Sequence, residues 1–260
     1  MPREYARIKV ARGGGVETIT LFNPDKRNAI GPRMTNELLW ALEDARAADD
    51  VRSVVLTGEG KAFCAGGDFS EMTSGVAESK LAHKGDYADL LLALARSDKP
   101  VVARVNGHAM GGGLGLVAAS TFAVASTDAK LGTPEIDVGL FPMMIMAILA
   151  RHVPRRRLLE MMLMGERFDA HEAARLGLVN RAVEPAALDA EVKKITDAIA
   201  TKSPVTVRLG LRAFAAQDDM DLGQALPLLR DRLAECLATD DAREGLMAFL
   251  QKRPPQWTGK

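Results

Sequence analysis

The stretch GHAMGGGLGL, residues 107–116, sets five glycines in ten positions, one residue after KPVVARV (99–105), which reads as a buried strand. Part of it, GLGLVA (113–118), satisfies the dinucleotide-binding pattern GxGxx(G/A). In that fold the glycines make the turn directly after the first strand. Here NGHAMGG intervenes and several elements come earlier, so a nicotinamide site does not follow. Small residues also let a helix pack tightly on a neighbour. A second glycine-rich turn, FCAGGDF (63–69), again follows a strand. Two such turns at comparable places in a sheet suit a pair of backbone N–H groups converging on one oxygen. Glycine has no Cβ to block a ligand, and a helix N-terminus adds unpaired donors and the positive end of a dipole. Gly112, near the start of the helix running through Leu116 to Ala119, is well placed to be one donor. Stabilisation of an enolate or tetrahedral oxyanion is the chemistry that needs two donors on one oxygen. A carbonyl or thioester substrate is therefore expected.

Outward from these turns, the first half of the chain alternates strand and helix signals. YARIKVA and VETITLF flank the glycine triplet 13–15 as a hairpin. A helix with apolar Met34, Leu38, Leu39 and Leu42 follows, then the strand VRSVVLTGEG, a helix over 80–97, the strand KPVVARV and the small-residue helix. That rhythm argues for an α/β fold with a mostly parallel sheet covered by helices. From about residue 143 the pattern reads as entirely helical, with a break at Ser203-Pro204 and a stop at the prolines of KRPPQWTGK. The expected division is a core over 1–195 and a C-terminal helical region over 196–260.

A chain of 260 residues with 34 basic and 34 acidic side chains has no global attraction to nucleic acid or to an acidic membrane surface. Two cysteines make no disulfide framework, and the four histidines have no metal-ligand spacing. No metal is expected. Neither a signal-peptide block nor a run of about 18 apolar residues is present, so the expected location is cytoplasmic.

Six blocks carry a resemblance that covers nearly the whole chain: LFNPDKRNAI (21–30), LTGEGKAFCAGGDF (56–69), KPVVARVNGHAMGGGLGL (99–116), AKLGTPEIDVGLFP (129–142), MLMGERFDAHEAARLGLVNRAV (162–183) and EGLMAFLQKRPPQWTG (244–259). In that order they resemble the crotonase, or enoyl-CoA hydratase/isomerase, superfamily. The resemblance implies a spiral of ββα units rather than a doubly wound sheet. It also implies a C-terminal helical trimerisation region and assembly as homotrimers or homohexamers. The substrate would be an acyl-CoA thioester, with no cofactor beyond the coenzyme A the substrate carries. The family's oxyanion donors fall on the N–H groups of Gly67 and Gly112, and its coenzyme A contacts on Lys26, Ala29, Ala65 and the loop Gly67, Asp68, Phe69 and Ser70.

Family hydratases use two glutamates, one at the second position after the glycine triplet and one in a Pro-Glu motif. Here these positions are Gly115 and Glu135. A lone carboxylate beside an oxyanion hole suits double-bond isomerisation, in which one group takes a proton from carbon and returns it elsewhere. The alternatives are hydration of a branched or methylglutaconyl-type enoyl-CoA with a substitute second group, and a crotonase-fold protein that only binds acyl-CoA. Asp137 is the nearest substitute in sequence, although strand-like alternation would put it beside Glu135. Leu114 and Leu116 would crowd a side chain at 115. Met143, Met144 and Met146 bring apolar bulk that could line an acyl pocket or pack in the core. Cys64 reads as a small buried hydrophobe and His108 as structural. Arg155, Arg156 and Arg157 read as a helix-capping or solvated run, one of which could reach a coenzyme A phosphate of a neighbouring subunit.

Overall fold

A computed structural model of the protein describes residues 3–74 and 80–260. The chain opens with β1 (Ile8–Gly13) and β2 (Val16–Leu21), then α1 (Pro32–Ala47), β3 (Ser53–Gly58), β4 (Ala62–Cys64), α2 (Phe69–Ser74) and α3 (Tyr87–Ala95). The glycine-rich region supplies β5 (Val101–Val105), β6 (His108–Met110), α4 (Gly112–Ala119), β7 (Phe122–Ser126) and β8 (Lys130–Gly132). Beyond these come α5 (Met143–Leu149), α6 (Arg155–Leu163), β9 (Arg167–Asp169), α7 (Ala170–Arg175), β10 (Arg181–Val183), α8 (Leu188–Ala200), α9 (Pro204–Gln217), α10 (Leu222–Leu237) and α11 (Asp240–Leu250).

The expected hairpin forms: Gly13 pairs with Val16 across Gly14 and Gly15, whose φ angles of 59° and 78° give the two-residue turn that matches strand twist. Six strands make one sheet in the order β1-β2-β3-β5-β7-β10, and four make a second in the order β4-β6-β8-β9. Among the described residues, only the β1–β2 and β8–β9 pairs are antiparallel. Burial follows position in the large sheet. Edge strand β1 buries only Ile8, β2 alternates, and β3, covered on both faces, buries every residue.

Successive strand pairs explain the architecture. β3 and β4, β5 and β6, and β7 and β8 each send their first strand to the large sheet and their second to the small one. This is the ββα spiral of the crotonase fold, as the sequence resemblance implies. The crossing after β3 is pinned by Asn106, whose Oδ1 accepts from the Gly58 amide at 3.1 Å and whose Nδ2 donates to the Gly60 carbonyl at 2.8 Å.

Two expectations change. The region after residue 143 is not entirely helical, because β9 and β10 complete the two sheets. Strands of three residues are too short to show a period of two. The helix expected over 80–97 begins only at Tyr87, where Asp86 caps it by accepting from the amides of Ala88 and Asp89. Leu188 and Val192 of α8 pack on Val55, Val102 and Val124 of the large sheet. The C-terminal tail folds back onto buried Asp241, which accepts from Ser203 Oγ at 2.7 Å and from the Thr258 amide at 2.7 Å. Among the described residues, no helix is long and apolar enough to cross a membrane.

The loop ahead of α1 carries Arg27 and Asn28 at φ 51° and 58°, a conformation that a bare backbone would not choose for these residues. Asn28 holds it. Its Nδ2 donates to the carbonyls of Glu59 and Ala62, both at 2.9 Å, and its Oδ1 accepts from the Asn23 amide at 3.1 Å. Asn28→Ala is expected to lower stability by about 2–4 kcal/mol. Urea unfolding with an unchanged slope and a lower midpoint would show it; an unmoved midpoint would mean that the loop holds without this side chain.

Candidate active site

Three parallel strands of the small sheet end side by side, and the candidate residues follow their ends. β4 pairs with β6 and β6 with β8. Beyond the last pairing, the Gly111 amide donates to the Gly132 carbonyl at 2.9 Å. The chain after Gly132 passes buried Thr133, whose hydroxyl donates to the Met161 carbonyl at 3.1 Å, and turns into a 3-10 helix over Pro134–Val138. Glu135 is thereby carried against Gly111. A Cβ at Gly111 would lie 2.5 Å from Glu135 Oε1 and 3.0 Å from its Cδ, and the glycine's φ of 48° is one that side-chain-bearing residues avoid. Among the described residues, Glu135 Oε2 is buried with no hydrogen-bond partner. Burial pushes the Glu135 carboxyl above the usual carboxylate range, and the hydrogen bond from its own backbone offsets this only partly.

Gly112 is the first residue of α4, so its amide has no carbonyl one helical turn behind it. Gly67 forms a parallel bridge with Ile30: the Ile30 amide donates to Gly66 and the Asp68 amide donates to Ile30, each at 2.8 Å. That alternation turns the N–H of Gly67 away from Ile30. The Ile30 side chain in turn lies against Gly112, 3.2 Å from where a Cβ would stand. The two glycines therefore share one neighbour and occupy the ends of neighbouring strands.

The residues expected at a coenzyme A site also gather here. Lys26 Nζ reaches both oxygens of Asp68, at 2.9 and 2.8 Å, and also bonds to Ser70 Oγ. Asp68 is buried, yet the bonds from Lys26, Ser70 and the Glu71 amide outweigh that burial and hold its carboxyl at about 2. Ala29 is buried beside this cluster, and the half-buried Ala65 donates its amide to the Arg27 carbonyl at 3.0 Å. Phe69 is exposed at the start of α2.

Other sequence candidates stand elsewhere. Asp137 is not beside the Glu135 carboxylate, because the segment is a 3-10 turn rather than a strand. It is exposed, 3.9 Å from Arg167, and faces Gly165. His108 accepts from the Lys130 amide through Nδ1 at 3.0 Å, a bond within the sheet. Cys64 is fully buried, and burial pushes its thiol up to about 12. Arg157 pairs with Glu160, Glu166 and Glu172, while Arg155 and Arg156 are exposed at the start of α6. Met143 and Met144 are exposed on α5, and Met146 packs on the core.

Two residues that sequence reading passed over complete the site. A Cβ at Gly115 would lie 2.4 Å from Ile145 Cγ2 and 2.4 Å from the Tyr87 hydroxyl. Tyr87 also donates to the Gly112 carbonyl at 2.5 Å. It lies 25 residues before Gly112 in the chain, and no local pattern links the two.

A ββα spiral with glycine turns at neighbouring strand ends defines the crotonase class, and sequence comparison agrees. The enoyl-CoA hydratase/isomerase family pattern matches residues 11–260. The human enoyl-CoA hydratase domain-containing protein 3, mitochondrial, is 36% identical over 245 residues, covering 94% of this chain and 81% of that one. The short-chain-enoyl-CoA hydratase of Clostridium acetobutylicum is 31% identical over 254 residues, covering 96% and 97%. A crystal structure of an enoyl-CoA hydratase from Mycobacterium smegmatis matches at TM-score 0.89 and 36% identity, covering 97% of this chain and 99% of that one. The chain belongs to the enoyl-CoA hydratase/isomerase family and is an enzyme of that family.

The two carboxylates should separate on titration. Carbon-detected NMR is expected to place Glu135 above the ordinary value of 4.5 and Asp68 at about 2. The signs differ for stability. The contribution of Asp68 is complete above 3.8 and is lost as pH falls towards about 2, whereas ionising Glu135 costs stability as pH rises through its elevated value. A Glu135 midpoint at or below 4.5 would contradict its desolvated setting.

Proposed function

We propose that this enzyme shifts the double bond of an enoyl-CoA thioester, using Glu135 as the one proton carrier. The single observation behind this reading is the desolvated Glu135 carboxylate held against Gly111, its Oε2 without a hydrogen-bond partner, while position 115 has no room for a second carboxylate. With a 3-enoyl thioester, ionised Glu135 takes a proton from carbon 2. The C–H electron pair forms the C1–C2 double bond, and the carbonyl pair moves onto the thioester oxygen. The amides of Gly67 and Gly112 donate to that oxygen in the resulting dienolate, where a lost donor costs about 2.7–4 kcal/mol of barrier. The protonated Glu135 then returns its proton to carbon 4, the C2–C3 double bond forms and the carbonyl is restored. A carboxyl raised by burial suits both halves of this exchange, since it must give up the proton it takes.

In the same reading, Lys26, Ala29, Ala65, Asp68, Phe69 and Ser70 hold the coenzyme A portion around Gly67. Because Lys26 is bonded to Asp68 and Ser70, a phosphate arriving there would compete for a cation already in use. The reaction needs no cofactor beyond the coenzyme A of its substrate. Exposed Phe214, Leu226, Leu233 and Phe249 on α9, α10 and α11 support association of several copies. Hydration is the second reading, and similarity to a short-chain-enoyl-CoA hydratase favours it.

Purified protein offered 3-enoyl- and 2-enoyl-CoA is expected to exchange the double bond faster than it forms 3-hydroxyacyl-CoA. Efficient hydration without exchange would refute the preference. Glu135→Gln should lower turnover by about 10²–10⁴-fold while acyl-CoA still binds; unchanged turnover would remove Glu135 from the chemistry. With the base needed ionised, kcat/KM should fall as pH drops through the elevated Glu135 value.

A further inference from the structure

We propose that Tyr87 and Ile145 form a closed wall at Gly115 and determine that the enoyl thioester exchanges its double bond through a dienolate rather than adding water at carbon 3. This rests on Glu135 being the proton carrier. Hydration needs a water held beside the carboxylate, and a buried water needs about two to four polar partners. The side of α4 that would supply a second acceptor is Gly115. Its open face is filled from two directions, by a methyl of Ile145 and by the Tyr87 hydroxyl, each 2.4 Å from where a Cβ would stand.

Both filling groups are held in place. Ile145 is a β-branched residue on α5, buried together with Leu149 one turn on, so its Cγ2 is not the loose end of a flexible chain. Tyr87 stands on the first turn of α3, fixed by the Asp86 capping box, and its hydroxyl proton is committed to the Gly112 carbonyl at 2.5 Å. Burial keeps that phenol well above its usual titration range, so it stays neutral and does not replace the missing carboxylate as a base. What remains at Gly115 is a methyl group and an oxygen whose only proton is already donated. A proton can shuttle in such a site, because it travels on Glu135 itself. A water would need the space and the second carboxylate that the wall replaces.

The test is the ratio of hydration to isomerisation for one enoyl-CoA, measured in wild type, Ile145→Val, Ile145→Ala, Tyr87→Phe and the double variant Gly115→Glu/Ile145→Ala. Exchange of the α-proton of a saturated acyl-CoA into D2O is followed in wild type and Glu135→Gln. The ratio should rise in the order Ile, Val, Ala, by about ten-fold or more for Ile145→Ala, and further in the double variant. Tyr87→Phe removes the hydroxyl but leaves Ile145 and the ring in place and supplies no ionisable group, so it should leave the ratio low. Ile145→Val removes one methyl, so the series can be read even where the alanine variant folds poorly. An unchanged ratio in folded Ile145→Val and Ile145→Ala would overturn the wall. So would wild-type hydration abolished by Tyr87→Phe, since the hydroxyl would then be holding the water, and Glu135-dependent exchange would survive. Exchange that persists in Glu135→Gln would overturn both the base and the wall built on it.

Discussion

The Gly111 amide donates to the Gly132 carbonyl at 2.9 Å, and that bond sets the turn bearing Glu135 against the start of α4. It continues the β6–β8 pairing by one step past the strands, so the start of α4 and the 3-10 turn of Glu135 begin from a common point. The β4–β6 pairing does the same on the other side for Gly67. Parallel strands all finish at one edge, so the proposed donors and base are brought to one edge of the sheet although nearly seventy residues apart in sequence. Large catalytic effects of fixed dipoles require that they be in place before charge develops. A sheet edge meets that condition better than a loop could.

Two carboxylates of this region show how environment divides their properties. Asp68 and Glu135 both lose water, but Asp68 gains Lys26, Ser70 and an amide, and it stays ionised down to about 2. Glu135 gains no side-chain partner, and its neutral form is favoured. An acid held at about 2 is a poor proton carrier near neutral pH and a good anchor: it caps α2 through the Glu71 amide and fixes the loop bearing Lys26. An acid left alone in a dry setting is a poor anchor and a good carrier.

Much of this was legible in the sequence, for identifiable reasons. The hairpin turn, the two glycine turns, the Pro-Glu segment and the parallel rhythm are local patterns with local causes. The short strands β9 and β10 were not legible, because three residues carry no periodicity and their existence is decided by the edges of the sheets they join. Tyr87 and Ile145 were not legible either. Each reads as an ordinary helix residue, and only the packing of α3 and α5 on α4 brings both to Gly115. The 3-10 turn at Glu135 was read as extended because proline followed by alternating residues suits both conformations; the turn rotates Asp137 out to Arg167.

The glycine run has a cost that its packing must offset. Each glycine inside a helix is about 1 kcal/mol worse than alanine, and α4 has three in eight residues. Its apolar residues Leu114, Leu116 and Val117 are essentially fully buried, and each contributes about 1.5–3 kcal/mol. That burial makes the helix affordable, and the glycines are what permit the burial. Gly113 lets α4 sit on Cys64, where a Cβ would be 2.5 Å from the Cys64 carbonyl, and Gly115 admits Ile145 and Tyr87. Gly111 admits Glu135. One short helix and its N-cap are thus approached at distances that only a bare Cα allows, and the same closeness that compacts the core brings the carboxylate against the N-cap of the helix.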